Sequence, residues 1–246
     1  MDKSTLVRHL MKNAGNRAPS CKTIAAAYGV NERVVRLLVT QINADEIYEI
    51  TSSQGGGLSV SSGPTNEQHV YDHLIENLSP WIQSNLFNPY NLHAQKLLRT
   101  HSRKLSGKWS TPDFTAVCLY KCVHTGYKGT ELVTFEVKHA TQQLDVTCVY
   151  EALAHARASN YTTLLFYVDP ANTIYDQGAG HILDEIKIEC VRLGVGLVLT
   201  RYPTDLNEWH YVIPAKKHLP DARRIDAFIE EAFGDDDKKW LKQHML

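Results

Sequence analysis

The sequence predicts an α/β chain in two parts: a small helical unit closed by a hairpin, then a larger unit whose central mixed sheet is flanked by helices. Three observations predict it. A Ser/Gly-rich break, SSQGGGLSVSSGPT (52–65), divides two differently patterned stretches, which places one unit at residues 1–62 and the other at 63–246. Before the break, short apolar repeats have helical spacing; after it, apolar strand-like runs alternate with helical stretches, the pattern of a sheet covered by helices. Finally, 246 residues with 43% hydrophobic and 22% charged side chains suffice to bury a core, which excludes disorder by composition. The five cysteines, Cys21, Cys118, Cys122, Cys148 and Cys190, are odd in number and scattered, which argues against a disulfide framework or a zinc knot. No apolar run approaches the roughly 20 residues of a membrane helix, and the opening MDKSTLVRHLMK is charged with no apolar signal stretch behind it. A soluble, cytoplasmic protein with no membrane partner is the expectation.

In the first unit, Leu6, Val7, Leu10 and Met11 repeat at helical spacing. Ser20 can cap a short helix that ends at Tyr28, with Gly29 as its stop. A third helix is expected from about Asn31 to Ile42, with Val34, Leu37 and Leu38 facing inward and Arg33, Arg36 and Thr40 on the other side. EIYEI (46–50), a turn at Gly55 to Gly57 and LSV (58–60) read as a hairpin. Over roughly residues 3–61 this order resembles a winged helix-turn-helix domain. The resemblance implies DNA as a partner, with Arg33, Arg36, Thr40 and Gln41 as the reading positions of the third helix and the hairpin against the backbone or minor groove. Winged helices also dock proteins and dimerise, so that alternative stays open.

The second unit begins with a helix over about Asn66–Ile82. Residues 91–110 then hold Lys96, Arg99, Arg103, Lys104 and Lys108 with no acidic residue, a local positive field suited to phosphates or, alternatively, a solvated loop and helix face. Strands follow near Phe114–Val123 and Glu131–Ala140, with a helix near Asp145–Ser159 and the strand TTLLFYV (162–168) after them. A helix bearing Ile182, Ile186, Cys190 and Leu193 leads to strands GVGLVLT (194–200) and WHYVIPA (209–215). The last amphipathic helix is Arg223–Phe233; behind it, Gly234-Asp235-Asp236-Asp237 and Trp240 read as a solvated tail or a partner-docking segment.

The chemistry lies in Thr111-Pro112-Asp113-Phe114 and Thr134-Phe135-Glu136-Val137-Lys138. Strand alternation sends Phe135 and Val137 to the core and brings Glu136 and Lys138 out together on the other face. If the hairpin closed by Tyr127-Lys128-Gly129 pairs the two strands antiparallel, Asp113 meets Glu136 across 22 intervening residues. Two carboxylates and a lysine are the set that phosphodiester hydrolysis needs: oxygen ligands for a hard cation, and an ammonium beside it. The plain alternative is a surface salt bridge with Asp113 capping a turn. His69 and His73 have metal-ligand spacing but lack the glutamate of metalloprotease helices, Val70 standing in its place.

The Pro112-Asp113 … Glu136-Val137-Lys138 pattern, together with the element order over about 66–214, resembles the PD-(D/E)XK nuclease superfamily with its restriction-endonuclease-like fold. The resemblance implies Asp113 and Glu136 as ligands of Mg²⁺, for which Mn²⁺ substitutes, Lys138 as the catalytic lysine, and Glu67, at the start of the preceding helix, as an additional catalytic and metal-binding acid. Glu76 competes with Glu67 for that place. Glu151, His155 and Arg157 fall where the family puts substrate-contacting residues, and otherwise read as solvated helix positions. The expected function is a metal-dependent DNA endonuclease, a homodimer targeted by its winged helix, in restriction, phage defence or mobile-element processing; Lys96, Arg99, Arg103, Lys104 and Lys108 would grip the backbone. The alternatives are a non-catalytic DNA-binding regulator and a subunit switched on by a protein activator.

Overall fold

Apolar residues three and four apart build the N-terminal helices. In the computed structural model, which describes residues 1–13, 18–44, 48–62, 67–87, 92–101, 111–140, 144–167, 180–200 and 202–245, helix α1 (Lys3–Lys12) buries Leu6, Val7 and Leu10. Helix α2 (Cys21–Tyr28) starts where the Ser20 hydroxyl accepts from the Thr23 amide at 3.2 Å and stops at Gly29, whose φ of 63° suits a residue without a Cβ. Helix α3 (Glu32–Ala44) buries Val35, Leu38 and Ile42; of the expected inward residues Leu38 is buried, whereas Val34 and Leu37 are 39% and 58% exposed. The correction has a physical cause: Val34, Val35, Leu37, Leu38, Val39 and Ile42 cover so much of the helix circumference that periodicity leaves the inward face undecided. Arg33, Arg36, Thr40 and Gln41 are exposed, as expected of the other side. Strands β1 (Tyr48–Ser52) and β2 (Leu58–Ser62) pair antiparallel and pack Tyr48, Ile50 and Leu58 onto the three helices.

The rest of the chain is a mixed α/β layer structure. Six strands lie in chain order, β3 (Leu92–Arg99), β4 (Phe114–Lys121), β5 (Lys128–His139), β6 (Tyr161–Tyr167), β7 (Gly196–Thr200) and β8 (Trp209–Ile213). The β5–β6 and β6–β7 pairs are parallel and the others antiparallel. Each parallel step needs a crossover, supplied by α5 (Thr147–His155) and α6 (Gly180–Leu193). Helix α4 (Glu67–Asn85) covers one face, meeting Phe114, Ala116, Phe135, Val137 and Leu165. The alternate side chains go to the other face. There Leu164, Phe166, Leu197 and Leu199 meet α5 and α6, while Val117, Leu119 and Leu132 meet α7 (Ala222–Ala232) and α8 (Asp235–His244). Both faces of the central strands are therefore covered, and the near-continuous apolar runs of β4, β6 and β7 follow from that.

Two expectations change. The segment read as a basic loop or helix face contains an edge strand, β3, whose sequence LHAQKLLR lacks clean alternation because its positions are only half-buried. The acidic segment read as a solvated tail is α8, docked through buried Leu241, with Asp237 paired to Lys96 at 2.6 Å and the Lys96 ammonium 5.6 Å from the centre of the Trp240 ring. Among the described residues, no helix is long and apolar enough to cross a membrane.

The N-terminal helices are not free of the sheet. Tyr202, just past β7, is fully buried among Leu6, Ile24 and Tyr48, with its ring stacked on Tyr48 at 5.7 Å. Arg8 of α1 holds both carboxylate oxygens of Glu208 at 3.0 and 3.1 Å, and Asn77 of α4 donates to the Pro203 carbonyl at 2.7 Å. Replacing Tyr202 with Ala removes a fully buried aromatic from that junction, an expected loss of about 3–5 kcal/mol. Urea unfolding should then change from one transition to two, because residues 1–62 lose their tie to the sheet. A single transition with an unshifted midpoint would show that Tyr202 does not hold the two parts together.

Candidate active site

The β4–β5 pairing sets the register of Phe114 against Phe135 and of Thr115 against Thr134, so Asp113 lies at the level of Glu136. The Asp113 amide donates to the Phe135 carbonyl at 3.0 Å, which carries the pairing one residue past the strand. Its carboxylate is fixed on both oxygens: the Val137 amide donates to Oδ2 at 2.7 Å, and the Tyr71 hydroxyl of α4 donates to Oδ1 at 2.5 Å. Val137 is the residue between Glu136 and Lys138, so one hydrogen bond joins the two halves of the motif.

Alternation along β5 places Val137 toward α4 and Glu136 and Lys138 on the opposite face, as the sequence predicts. That face is roofed by α5, and Glu136 is only 8% exposed. Lys138 Nζ lies 2.7 Å from Glu136 Oε1 and 3.0 Å from Glu151 Oε2, while His155 Nε2 lies 2.9 Å from Glu136 Oε2. Glu151 and His155 are four residues apart, one turn along the same face of α5. The sequence leaves both open as substrate-contacting or solvated positions, and the structure brings them into the cluster because α5 folds back over β5. Arg157, past the helix end, is exposed and belongs to the solvated reading.

The electrostatics follow from this packing. Burial and the neighbouring Glu136 charge push the Asp113 carboxyl up to about 7, against the opposing pull of Tyr71, Val137 and Lys138. For Glu136, burial works in the same direction, but the His155 hydrogen bond and the Lys138 ammonium outweigh it and hold the group below the ordinary glutamate range. Burial disfavours the charged Lys138 ammonium, yet Glu136 and Glu151 more than compensate, so Lys138 stays protonated well above the usual lysine range.

Among the described residues, no three His, Cys, Asp or Glu side chains stand together as a metal-holding group. The two carboxylates nevertheless fit a Mg²⁺-type cation, which is bound through one or two carboxylates plus waters and substrate phosphates. The reluctance of Asp113 to ionise beside Glu136 is the state that a cation there would relieve. Glu67 is the first residue of α4, and its side chain lies outside the described residues; Glu76 is exposed. Among the described side chains of α4, Tyr71 reaches Asp113, and sequence reasoning missed it. Its signal was a tyrosine in the apolar stripe Val70, Leu74, Leu78, since a buried phenol needs a polar partner. His101 packs edge-on against Tyr71 with centroids 4.9 Å apart. Of the basic positions, Lys96 and Arg99 lie on β3 and are paired with Asp237 and Asp72. Arg103, Lys104 and Lys108 lie outside the described residues.

No protein-family model matches the chain, and no curated protein or solved structure matches it.

The raised Asp113 carboxyl has a defined consequence for stability. Its folded value lies above that of an ordinary aspartate, so the folded state keeps a proton that the unfolded chain releases. This contribution is complete below the unfolded value and is lost as pH rises through about 7. In EDTA, the wild type should lose stability between pH 4 and 7 relative to Asp113→Asn, and Mg²⁺ at pH 8 should restore the wild type alone. Thermal unfolding across that range checks it; parallel curves for the two proteins would remove Asp113 as the source.

Proposed function

We propose that the chain is a divalent-metal-dependent DNA endonuclease of the PD-(D/E)XK, restriction-endonuclease-like class. In this reading residues 1–62 are a winged helix-turn-helix unit that brings it to DNA. The observation that carries the reading is the bond from the Val137 amide to Asp113, which gathers Asp113, Glu136 and Lys138 at one place on an antiparallel strand pair. The element order around that pair and the three helices with a hairpin in front of it support the same reading.

Asp113 and Glu136 would hold the cation, Mg²⁺ with Mn²⁺ as a substitute. Such an ion neutralises non-bridging phosphate oxygens and acidifies water. The protein's own groups do the rest. Tyr71 and the Val137 amide lock the Asp113 carboxylate in one rotamer, and His155 holds Glu136 from the side away from Lys138. Lys138, kept charged by Glu136 and Glu151, supplies a fixed positive charge for the phosphorane-like transition state. Arg33, Arg36, Thr40 and Gln41 form the exposed side of α3 that would meet the major groove, and Arg36 waits in a 2.6 Å ion pair with Glu32. Two copies, each with one site, would serve the two strands of a duplex.

One feature favours gating by a protein activator: both Glu136 oxygens are engaged, one by Lys138 and one by His155. A plasmid assay separates these readings. With Mg²⁺ or Mn²⁺ the protein should cut supercoiled DNA, EDTA should stop it, and Lys138→Ala should lower the rate by about 10²- to 10⁴-fold with DNA binding intact. Binding without cleavage in any divalent metal would transfer weight to the gated or purely regulatory reading. For the N-terminal unit, joint replacement of Arg33 and Arg36 with Ala should lower duplex affinity and reduce the slope of log affinity against log salt by about two. An unchanged slope would assign α3 to protein contacts.

A further inference from the structure

At the end of the β4–β5 pair remote from Asp113, a cavity of about 340 Å³ lies between the hairpin and the C-terminal end of α8. His93, Lys121, Lys128 and His244 stand on its wall beside Leu119 and Met245, and among the described residues no carboxylate lines it. Lys121 and Lys128 are register partners. Two ammonium groups thus rise from directly opposed positions of an antiparallel pair, an arrangement that costs stability when nothing neutralises it.

Among the described residues, carboxylates of the adjoining elements β5, α7 and α8 are paired elsewhere. Glu131 alternates to the other face of β5 and is bound to Lys217. Asp237 of α8 holds Lys96 at 2.6 Å, and Glu230 of α7 holds Lys238 at 2.8 Å. The histidines are placed by separate devices. A bulge between Leu92 and Ala94 takes His93 out of the regular register of β3, as bulges do where a side chain must be re-aimed. The Nδ1–H of His244 donates to the Trp240 carbonyl at 2.8 Å, which fixes the ring at the cavity wall.

A sheet end shaped by stability alone would set an acid opposite one of the lysines. We propose that this cavity binds a phosphate-bearing ligand of about nucleotide size, its phosphate oxygens held by Lys121 and Lys128 with His93 and His244 beside them. The volume is at the small-ligand end of the range for binding cavities, about 300–1,000 Å³. The length of β4 separates it from Asp113, about 25 Å at roughly 3.3 Å per residue, so the two sites hold different groups. The inference stands without the nuclease reading. A free nucleotide and the backbone of a nucleic-acid strand present the same phosphate chemistry, and experiment distinguishes them.

The full chain is titrated calorimetrically with inorganic phosphate, adenosine 5′-monophosphate, adenosine and a 5′-phosphorylated single-stranded oligonucleotide, in parallel with Lys121→Ala, Lys128→Ala and Lys121→Glu. The nucleotide should bind and adenosine should not. Each alanine variant should weaken the nucleotide about tenfold or more, the loss of one charge-assisted hydrogen bond. The ligand-free Lys121→Glu protein should melt above the wild type, because an attraction replaces the repulsion, and should bind no nucleotide. Lys121-dependent binding of the oligonucleotide alone supports the site with a strand as its source. No binding of any phosphate probe, equal binding by wild type and alanine variants, or equal affinity for adenosine would each overturn the proposal.

Discussion

The candidate site depends on the antiparallel register of β4 and β5. Pairing Phe114 with Phe135 puts the Asp113 carboxylate within 2.7 Å of the Val137 amide. A slip of one residue would turn Glu136 and Lys138 toward α4 and send Val137 and Phe135 to α5, because side chains alternate with a period of two. The register is secured by burial on both faces: Phe114, Phe135 and Val137 are fully buried against α4, and Leu132 on the other face against α7 and α8. Apolar packing that has no part in chemistry thereby fixes the position of every charged group in the site.

Charges placed under a helix must be compensated, since an unpaired buried ion is costly. The cluster meets this condition with the Lys138 ammonium set between Glu151 and Glu136, and with His155 hydrogen-bonded to the second oxygen of Glu136. Asp113 is the group left out. It has a tyrosine and an amide for its oxygens, but burial and, after it, the like charge of Glu136 push its carboxyl up.

A comparable economy appears at the ends of the sheet. Beyond β7, Tyr202 leaves the sheet to complete a core built by α1, α2, α3 and β1, and Arg8 with Glu208 secures the same junction. At the other edge, α8 closes on β3 through Lys96, Asp237 and Trp240. The six-stranded sheet therefore carries attachments at both ends, and among the described residues no carboxylate lines the corner where Lys121 and Lys128 stand opposed.

The α/β class, the existence of strands near 114–123, 131–140, 162–168, 194–200 and 209–215, and the joint placement of Glu136 and Lys138 on one face are local properties, carried by apolar runs and a period of two, and the sequence alone determined them; the structure shifts the strand ends by up to three residues. The inward face of α3 was not legible, because apolar residues surround most of that helix. Nor was β3, whose half-buried edge position leaves no alternation to read, nor α8, whose charged sequence is held by one buried leucine and a few contacts to β3. Tyr71, Glu151 and His155 joined the site only when α4 and α5 closed over opposite faces of the sheet. Partners for a buried charge are chosen by which elements pack together across long stretches of chain, and tertiary structure decided that.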